Sequence, residues 1–148
     1  MDCALTVVDD TEVSRRLLTR AGLLANGVGA ELVVLNVIDA DEYEGEVQRK
    51  ANQGVKAEDF DDVTEAAKRT AENVASSALA DIDVDYEAVG LVGDLPDDIL
   101  TEAEDHDCDH IFIVGRHRSP TGKVIFGDVA QSVILNFDGP VTVLIEEE

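Results

Sequence analysis

Apolar residues fall along the chain in two alternating rhythms, short β-branched runs and longer stretches with helical spacing. Ala4-Leu5-Thr6-Val7-Val8 predicts a first strand that ends at Asp9-Asp10. A helix follows, with Asp9 or Thr11 placed to cap it and Val13, Leu17, Ala21, Leu24 and Val28 as its apolar stripe. Gly27 and Gly29 stop it. Glu31 to Ile38 is nearly continuously apolar, the signature of a strand covered on both faces. Residues Asp39 to Lys56 are polar, acidic and glycine-containing and predict a mobile loop. A long helix is expected from about Ala57 to Ala80, with Phe60, Val63, Ala67, Ala71, Val74 and Ala78 on one face.

The second half repeats the alternation. Asp83 to Leu91 predicts a third strand, with Val84, Tyr86 and Ala88 alternating. Gly93-Asp94-Leu95-Pro96 opens a helix, because Pro96 suits a first turn and Asp97 and Asp98 suit its positive dipole end. Asp109 to Val114 is a fourth strand, and Gly115 to Gly127 a loop. Asp128 to Phe137 is a helix with Val129, Val133, Ile134 and Phe137 inward. Gly139-Pro140 turns the chain into a last strand, Val141 to Ile145. Strands alternating with helices make an α/β fold, an open doubly wound five-stranded parallel sheet with helices on both faces and right-handed crossovers. We expect one domain over residues 1–148. In such sheets a ligand sits beyond the carboxyl ends of the strands where strand order reverses. Here that means the loops after Val8 and Val114.

Charge changes the picture of the surface. The chain carries 33 Asp and Glu against 11 Lys and Arg, a formal net charge of -22. One reading is a merely solvated acidic surface. The favoured one is a protein built for a salt-rich cytoplasm, since the acids run along the whole chain while core positions stay apolar. So large a charge self-repels at low ionic strength, and near 1 M salt a Debye length of about 3 Å removes most of that repulsion. No basic patch exists to meet nucleic-acid phosphates. No apolar run reaches the roughly 20 residues of a membrane helix, so no membrane partner is expected. The start, Met1-Asp2-Cys3-Ala4, lacks the pattern of a signal peptide, and a cytoplasmic location is expected.

Taken together, Val7-Val8-Asp9 entering a capped helix, Leu35-Asn36-Val37, Gly93-Asp94-Leu95-Pro96, and Ile113-Val114-Gly115 followed by a glycine loop and Gly127 resemble the universal stress proteins, in a haloarchaeal-like form. The pieces span nearly the whole chain. The resemblance implies strand order 3-2-1-4-5, as in the adenine nucleotide alpha hydrolase-like folds, and an adenine slot near Asp9 and Val37 with Val8 and Val114 as walls. It also implies ATP or AMP as the ligand. Nucleotide-binding members carry a loop reading Gly, two residues, Gly, nine residues, Gly, then Ser or Thr. Glycines let the backbone close on phosphate, and amides at a helix start point at the anion. Here Gly115 to Gly127 is one residue short, His117 or Arg118 falls where the second glycine belongs, and Asp128 replaces the hydroxyl. A carboxylate there repels bare phosphate, although Mg²⁺ can bridge the two. Arg116, Arg118 and Lys123 concentrate cations in the same loop. The candidate anion site is therefore Val8, Asp9, Asp10, Val37, Val114, Gly115, Arg116, His117, Arg118, Gly127, Asp128 and Val129.

Three functions follow. The first is a stress-response binding module holding a nucleotide or other anion, favoured by the three loop cations. The second is a ligand-free homodimeric regulator or scaffold with a degenerate site, favoured by His117 and Asp128. The third is a slow nucleotide hydrolase or self-phosphorylating protein, which no specific feature favours. The resemblance implies a homodimer through the last strand, with Val141, Val143 and Ile145 at the edge.

Other motifs carry less. Asp9-Asp10 resembles the acidic pair of response-regulator receivers, but Gly90-Leu91 and Leu144-Ile145 stand where those need Asp and Lys; helix capping is the plainer role. His106, Cys108 and His110, among Asp105, Asp107 and Asp109, cross from a helix end into a strand, so their side chains do not converge on a metal. No spacing supports a catalytic triad, and no catalytic residue is expected. Two cysteines in an unexported chain point to reduced, buried thiols. In the family's strand order, Cys3 and Cys108 begin neighbouring strands, opposite the ligand loops; two packed free thiols are expected. Dialysis into dilute buffer is expected to unfold the protein, followed by circular dichroism; cooperative folding retained there would count against salt adaptation.

Overall fold

Parallel strands cannot be joined by tight turns, so each pair requires a crossover, and a parallel sheet needs cover on both faces. The chain meets both needs in a computed structural model that describes residues 1–56, 59–115 and 126–146. The elements are β1 (Cys3–Val7), α1 (Glu12–Val28), β2 (Glu31–Asp39), α2 (Ala40–Asn52), α3 (Phe60–Ala78), β3 (Tyr86–Gly93), α4 (Leu95–Asp105), β4 (His110–Val114), α5 (Asp128–Asn136) and β5 (Val141–Leu144). All strand pairs are parallel, in the order β3-β2-β1-β4-β5, as expected.

Alternation along the central strands sorts the core into two layers. Ala4, Val8, Val34 and Phe112 pack with Leu17, Leu18 and Ala21 of α1 and Ala71 and Val74 of α3. Leu5, Val33, Leu35, Ile111 and Ile113 face Ile99 and Ala103 of α4 and Ala130 and Val133 of α5.

Several local expectations are corrected. Residues expected to form a mobile loop from Asp39 to Lys56 instead contain α2. Asp39 caps it, accepting from the Asp41 and Glu42 amides at 2.8 and 3.4 Å. Asp41 and Glu42 sit in its first turn and Arg49 and Lys50 in its last, which suits the helix dipole. Glu46 pairs with Arg49 and Lys50. None of its residues is buried, so the helix lacks the apolar stripe that would have announced it. In α1 the inward face is Ser14, Leu17, Leu18, Ala21, Gly22 and Ala25, whereas Leu24 and Val28 are exposed. Gly27 lies within that helix; Gly29, at φ 74°, is its left-handed cap. Phe60 and Ile134, expected inward, are exposed as well, as is Tyr86 of the third strand.

The thiol expectation is also overturned. Cys3 and Cys108 form a disulfide, with Cα atoms 4.5 Å apart, inside the usual range for such a bond. The cross-link spans 105 residues, and closing so long a loop removes about 4–5 kcal/mol of unfolded-chain entropy in the loop-closure account.

Helix α3 approaches the sheet at Gly90. A Cβ there would run into the backbone of Ala67 and Lys68, and the buried Asn36, in register with Gly90, donates to the Ala67 carbonyl at 3.2 Å. Gly90→Ala is expected to cost roughly 1–3 kcal/mol through overpacking and to lower Tm by about 5 °C or more, measured by thermal denaturation in molar KCl.

Candidate functional site

The ladders around β1 end at different heights. Pairing with β2 runs to Val7↔Leu35 and is extended by the Val8 amide donating to the Leu35 carbonyl at 2.8 Å. Pairing with β4 stops at Thr6↔Phe112, although β4 pairs with β5 as far as Val114↔Leu144. Strand order reverses at this junction, and a crevice of about 640 Å³ opens there. Its lining includes Val8, Asp9, Val37, Val114, Gly115, Gly127, Asp128 and Val129, which the sequence had singled out. Asp10 is not in the lining; it is exposed and pairs with Arg15. Arg116, His117, Arg118 and Lys123 lie outside the described residues.

Asp9 is held rigidly. Its Oδ1 accepts from the Thr11 hydroxyl at 2.5 Å and from the Ser14 hydroxyl at 2.8 Å, while its amide donates to Ser14 Oγ at 3.0 Å. Thr11 is the residue that caps α1, accepting from the Ser14 amide; neither Asp9 nor Asp10 does so. Ser14 is 3% exposed, so this ring of bonds is anchored in the core while the Asp9 carboxylate stays at the surface of the crevice. Oδ2 carries no hydrogen bond from the described residues and is placed to accept one from a ligand hydroxyl or amine.

Val37 supplies the complementary edge. Odd-numbered residues of β2 turn their backbone groups toward β1, as the Glu31 amide does to the Asp2 carbonyl and the Leu35 carbonyl to the Val8 amide. Val37 continues that edge past the last β1 partner, so its N–H and C=O face the crevice with no backbone partner among the described residues. A donor and an acceptor side by side match the edge of a planar heterocycle. Across the crevice, Gly127 precedes α5, whose first amides need an acceptor, and among the described residues no side chain caps them. Gly115 is buried, and a Cβ there would meet Val143 Cγ1 at 2.6 Å. Asp128 and Glu146 add carboxylates to the rim.

Thr11, Ser14, Asn36, Leu95 and Glu146 also line the crevice and were not anticipated as site residues. Ser14 carried a signal, a polar residue on the apolar side of α1. Asn36, the polar residue inside the apolar run of β2, carried one too, and Thr11 stood out only as a cap, whereas Leu95 and Glu146 carried none that pattern could register. Of the polar run near β4, His106 lies against Glu102 and Glu87 at 3.2 and 3.6 Å, while His110 stacks on Phe112 and reaches Thr142 at 2.8 Å. Burial holds the His110 ring below the usual imidazole pKa.

The family model described as "Universal stress protein family" matches residues 3–144. The chain belongs to this family. Among solved structures, the hypothetical protein MJ0577, a test case for structure-based assignment of biochemical function, is 22% identical with a TM-score of 0.74, over 99% of this chain and 97% of that one. A universal stress protein from Archaeoglobus fulgidus is 27% identical with a TM-score of 0.62, over 97% of each chain. Another structure from that organism, a universal stress protein in complex with dAMP, is 21% identical with a TM-score of 0.63, over 97% of this chain and 96% of that one. No curated protein sequence matches significantly. The family's expected sheet order is the one found, and the crevice lies at its reversal point.

Proposed function

We propose that this universal stress protein is a stress-response module that binds an adenine nucleotide of the AMP type in the crevice between β1 and β4. The observation that carries this is the open backbone edge of Val37 facing the crevice, opposite the anchored Asp9 carboxylate. The edge suits a base, the carboxylate suits ribose hydroxyls, and the start of α5 suits phosphate. About 640 Å³ is ample for such a ligand, since small-molecule sites run to about 300–1,000 Å³. The dAMP complex of the Archaeoglobus relative supports the same ligand class.

Charge tunes the choice of nucleotide. Asp128 and Glu146 oppose each added phosphate charge, while Arg116, Arg118 and Lys123 follow Gly115 in sequence to offset it. Among the described residues no cluster of His, Cys, Asp or Glu is arranged to hold a metal by itself. Mg²⁺ would have to arrive with the phosphates of ATP, and Asp128 would be the residue to hold it there and so be relieved of its repulsion by the phosphate charge. Salt adaptation as a haloarchaeal-like, cytoplasmic member of the family belongs to the same reading, supported by the net charge of -22. So does a homodimer formed by pairing β5 with its copy, supported by the half-buried edge residues Val141, Val143 and Ile145.

Thermal shift in molar KCl tests the ligand. AMP at about 100 times its Kd is expected to add roughly 2.7 kcal/mol and raise Tm by about 5–10 °C. Asp9→Ala is expected to remove most of that shift, and ATP to depend on Mg²⁺ far more than AMP does. No shift with AMP, ADP or ATP, with or without Mg²⁺, would leave the ligand-free regulator as the better reading. For the dimer, sedimentation in molar KCl is expected to give twice the chain mass; a monomer at micromolar concentration would refute the β5 interface.

A further inference from the structure

The end of the sheet opposite the crevice holds chemistry that nucleotide binding does not use. Cys3 opens β1 and Cys108 stands two residues before β4, and the disulfide between them cross-links the starts of the two strands whose other ends form the crevice. The two sulfurs sit in unequal surroundings. Cys108 is 7% exposed and packs in the core layer with Leu5 and Ile111. Cys3 is half-buried and lines a pocket of about 200 Å³, together with Tyr86 and His106. That pocket is rimmed by Glu31, Asp85 and Glu87. The His106 ring lies between Glu87 and Glu102, so the only basic side chain in the lining is already flanked by carboxylates. The strand start is pinned independently, because the Asp109 carboxylate accepts from the Asp2 and Cys3 amides at 3.1 and 3.4 Å. Opening the bridge therefore leaves β1 hydrogen-bonded to β2 and β4 and need not unfold the sheet.

We propose that Cys3–Cys108 is a thiol–disulfide exchange site for small neutral or cationic thiols, with Cys3 the attacked sulfur and Cys108 the leaving one. An incoming thiolate enters the pocket and attacks Cys3 Sγ. The Cys3–Cys108 bond breaks, a mixed disulfide forms on Cys3, and Cys108 leaves as a thiolate that takes up a proton. A second thiolate attacks the outer sulfur of the mixed disulfide, releasing the Cys3 thiolate and a small disulfide. Two thiols are oxidised and the protein disulfide is reduced by two electrons. Attack at Cys108 is disfavoured because its sulfur is packed among apolar side chains. The acidic rim disfavours anionic thiols, whose extra charge would enter beside three carboxylates. Disulfides inside cells are mostly transient, catalytic or redox-sensing, and one that opens into a pocket without dismantling the sheet fits that use.

The test uses the full-length protein in molar KCl, independently of any nucleotide. The oxidised protein is exposed briefly to 2-aminoethanethiol or mercaptoacetate, quenched in acid, alkylated and mapped by mass spectrometry. No alkylated cysteine is expected before reduction. Early in the reaction, the mixed disulfide is expected on Cys3 and the alkyl group on Cys108. With each rate divided by that of the same thiol on a small reference disulfide, 2-aminoethanethiol is expected to be several-fold faster even in molar salt, because charges at contact range in a partly buried pocket are screened much less than exposed ones. The Cys108→Ser variant, treated with the disulfide of 2-aminoethanethiol, is expected to load Cys3 at least about tenfold faster than Cys3→Ser loads Cys108, corresponding to about 1.4 kcal/mol of local opening. Two alkylatable thiols in the oxidised protein, a first mixed disulfide on Cys108, or mercaptoacetate reacting as fast would each overturn the assignment. Mapping on the unaltered chain decides the matter even if a variant fails to fold.

Discussion

The position of β1 at the centre of a parallel sheet, with its pairing to β4 broken off earlier than its pairing to β2, is the constraint on which the rest of the molecule depends. Parallel strands are buried on both faces, so β1 is mainly apolar, with the buried Thr6 its one polar side chain, and the covering helices must fall on opposite sides as the winding reverses. α1 and α3 cover one face, α4 and α5 the other. α1, which follows β1, and α5, which follows β4, consequently lie on opposite faces, and among the described residues no backbone fills the gap between the two strand ends. The crevice is a product of winding rather than of any residue placed to make it.

Once the gap exists, local hydrogen bonding equips it. Ser14, buried on the inner side of α1, ties Asp9 to the start of that helix and orients its carboxylate. Val37 gains a free backbone edge merely because β2 outruns β1. Gly115 and Gly127 keep side chains away from the opposite wall, and Asp128 and Glu146 set its charge. The other end of β1 is closed instead of open: the Asp109 carboxylate and the disulfide bind it to the start of β4. One strand thus joins a pinned end to a receptive one.

The alternation of strands and helices was legible from hydrophobic period alone, and the family resemblance added the sheet order. So were the walls of the crevice, because residues that end central strands are determined by where the apolar runs stop. Helix α2 was not, since it is supported by the Asp39 cap and ion pairs on Glu46, and its apolar contacts, Tyr43 edge-on to Phe60 and the half-buried Val47, are too sparse to read as a stripe. Helical spacing alone points Leu24 and Val28 inward in α1, whereas the sheet receives Leu18 and Ala25. Small and polar residues such as Ala25 and Ser14 fit against the sheet where bulkier ones do not, and that preference depends on interlayer distance.

The sequence by itself therefore determined the element types other than α2, the two-faced apolar strands and the carboxyl-end location of the crevice, because each rests on periodicity within a short window. Tertiary structure alone decided which atoms of those residues are available. Whether Asp9 caps a helix or faces a ligand depends on Thr11 taking the cap and Ser14 taking one oxygen. Whether Val37 has a free edge depends on the length of a neighbouring strand. Whether two cysteines 105 positions apart stay thiols or join depends on strand register. These are distances between segments remote along the chain, and no local pattern records them.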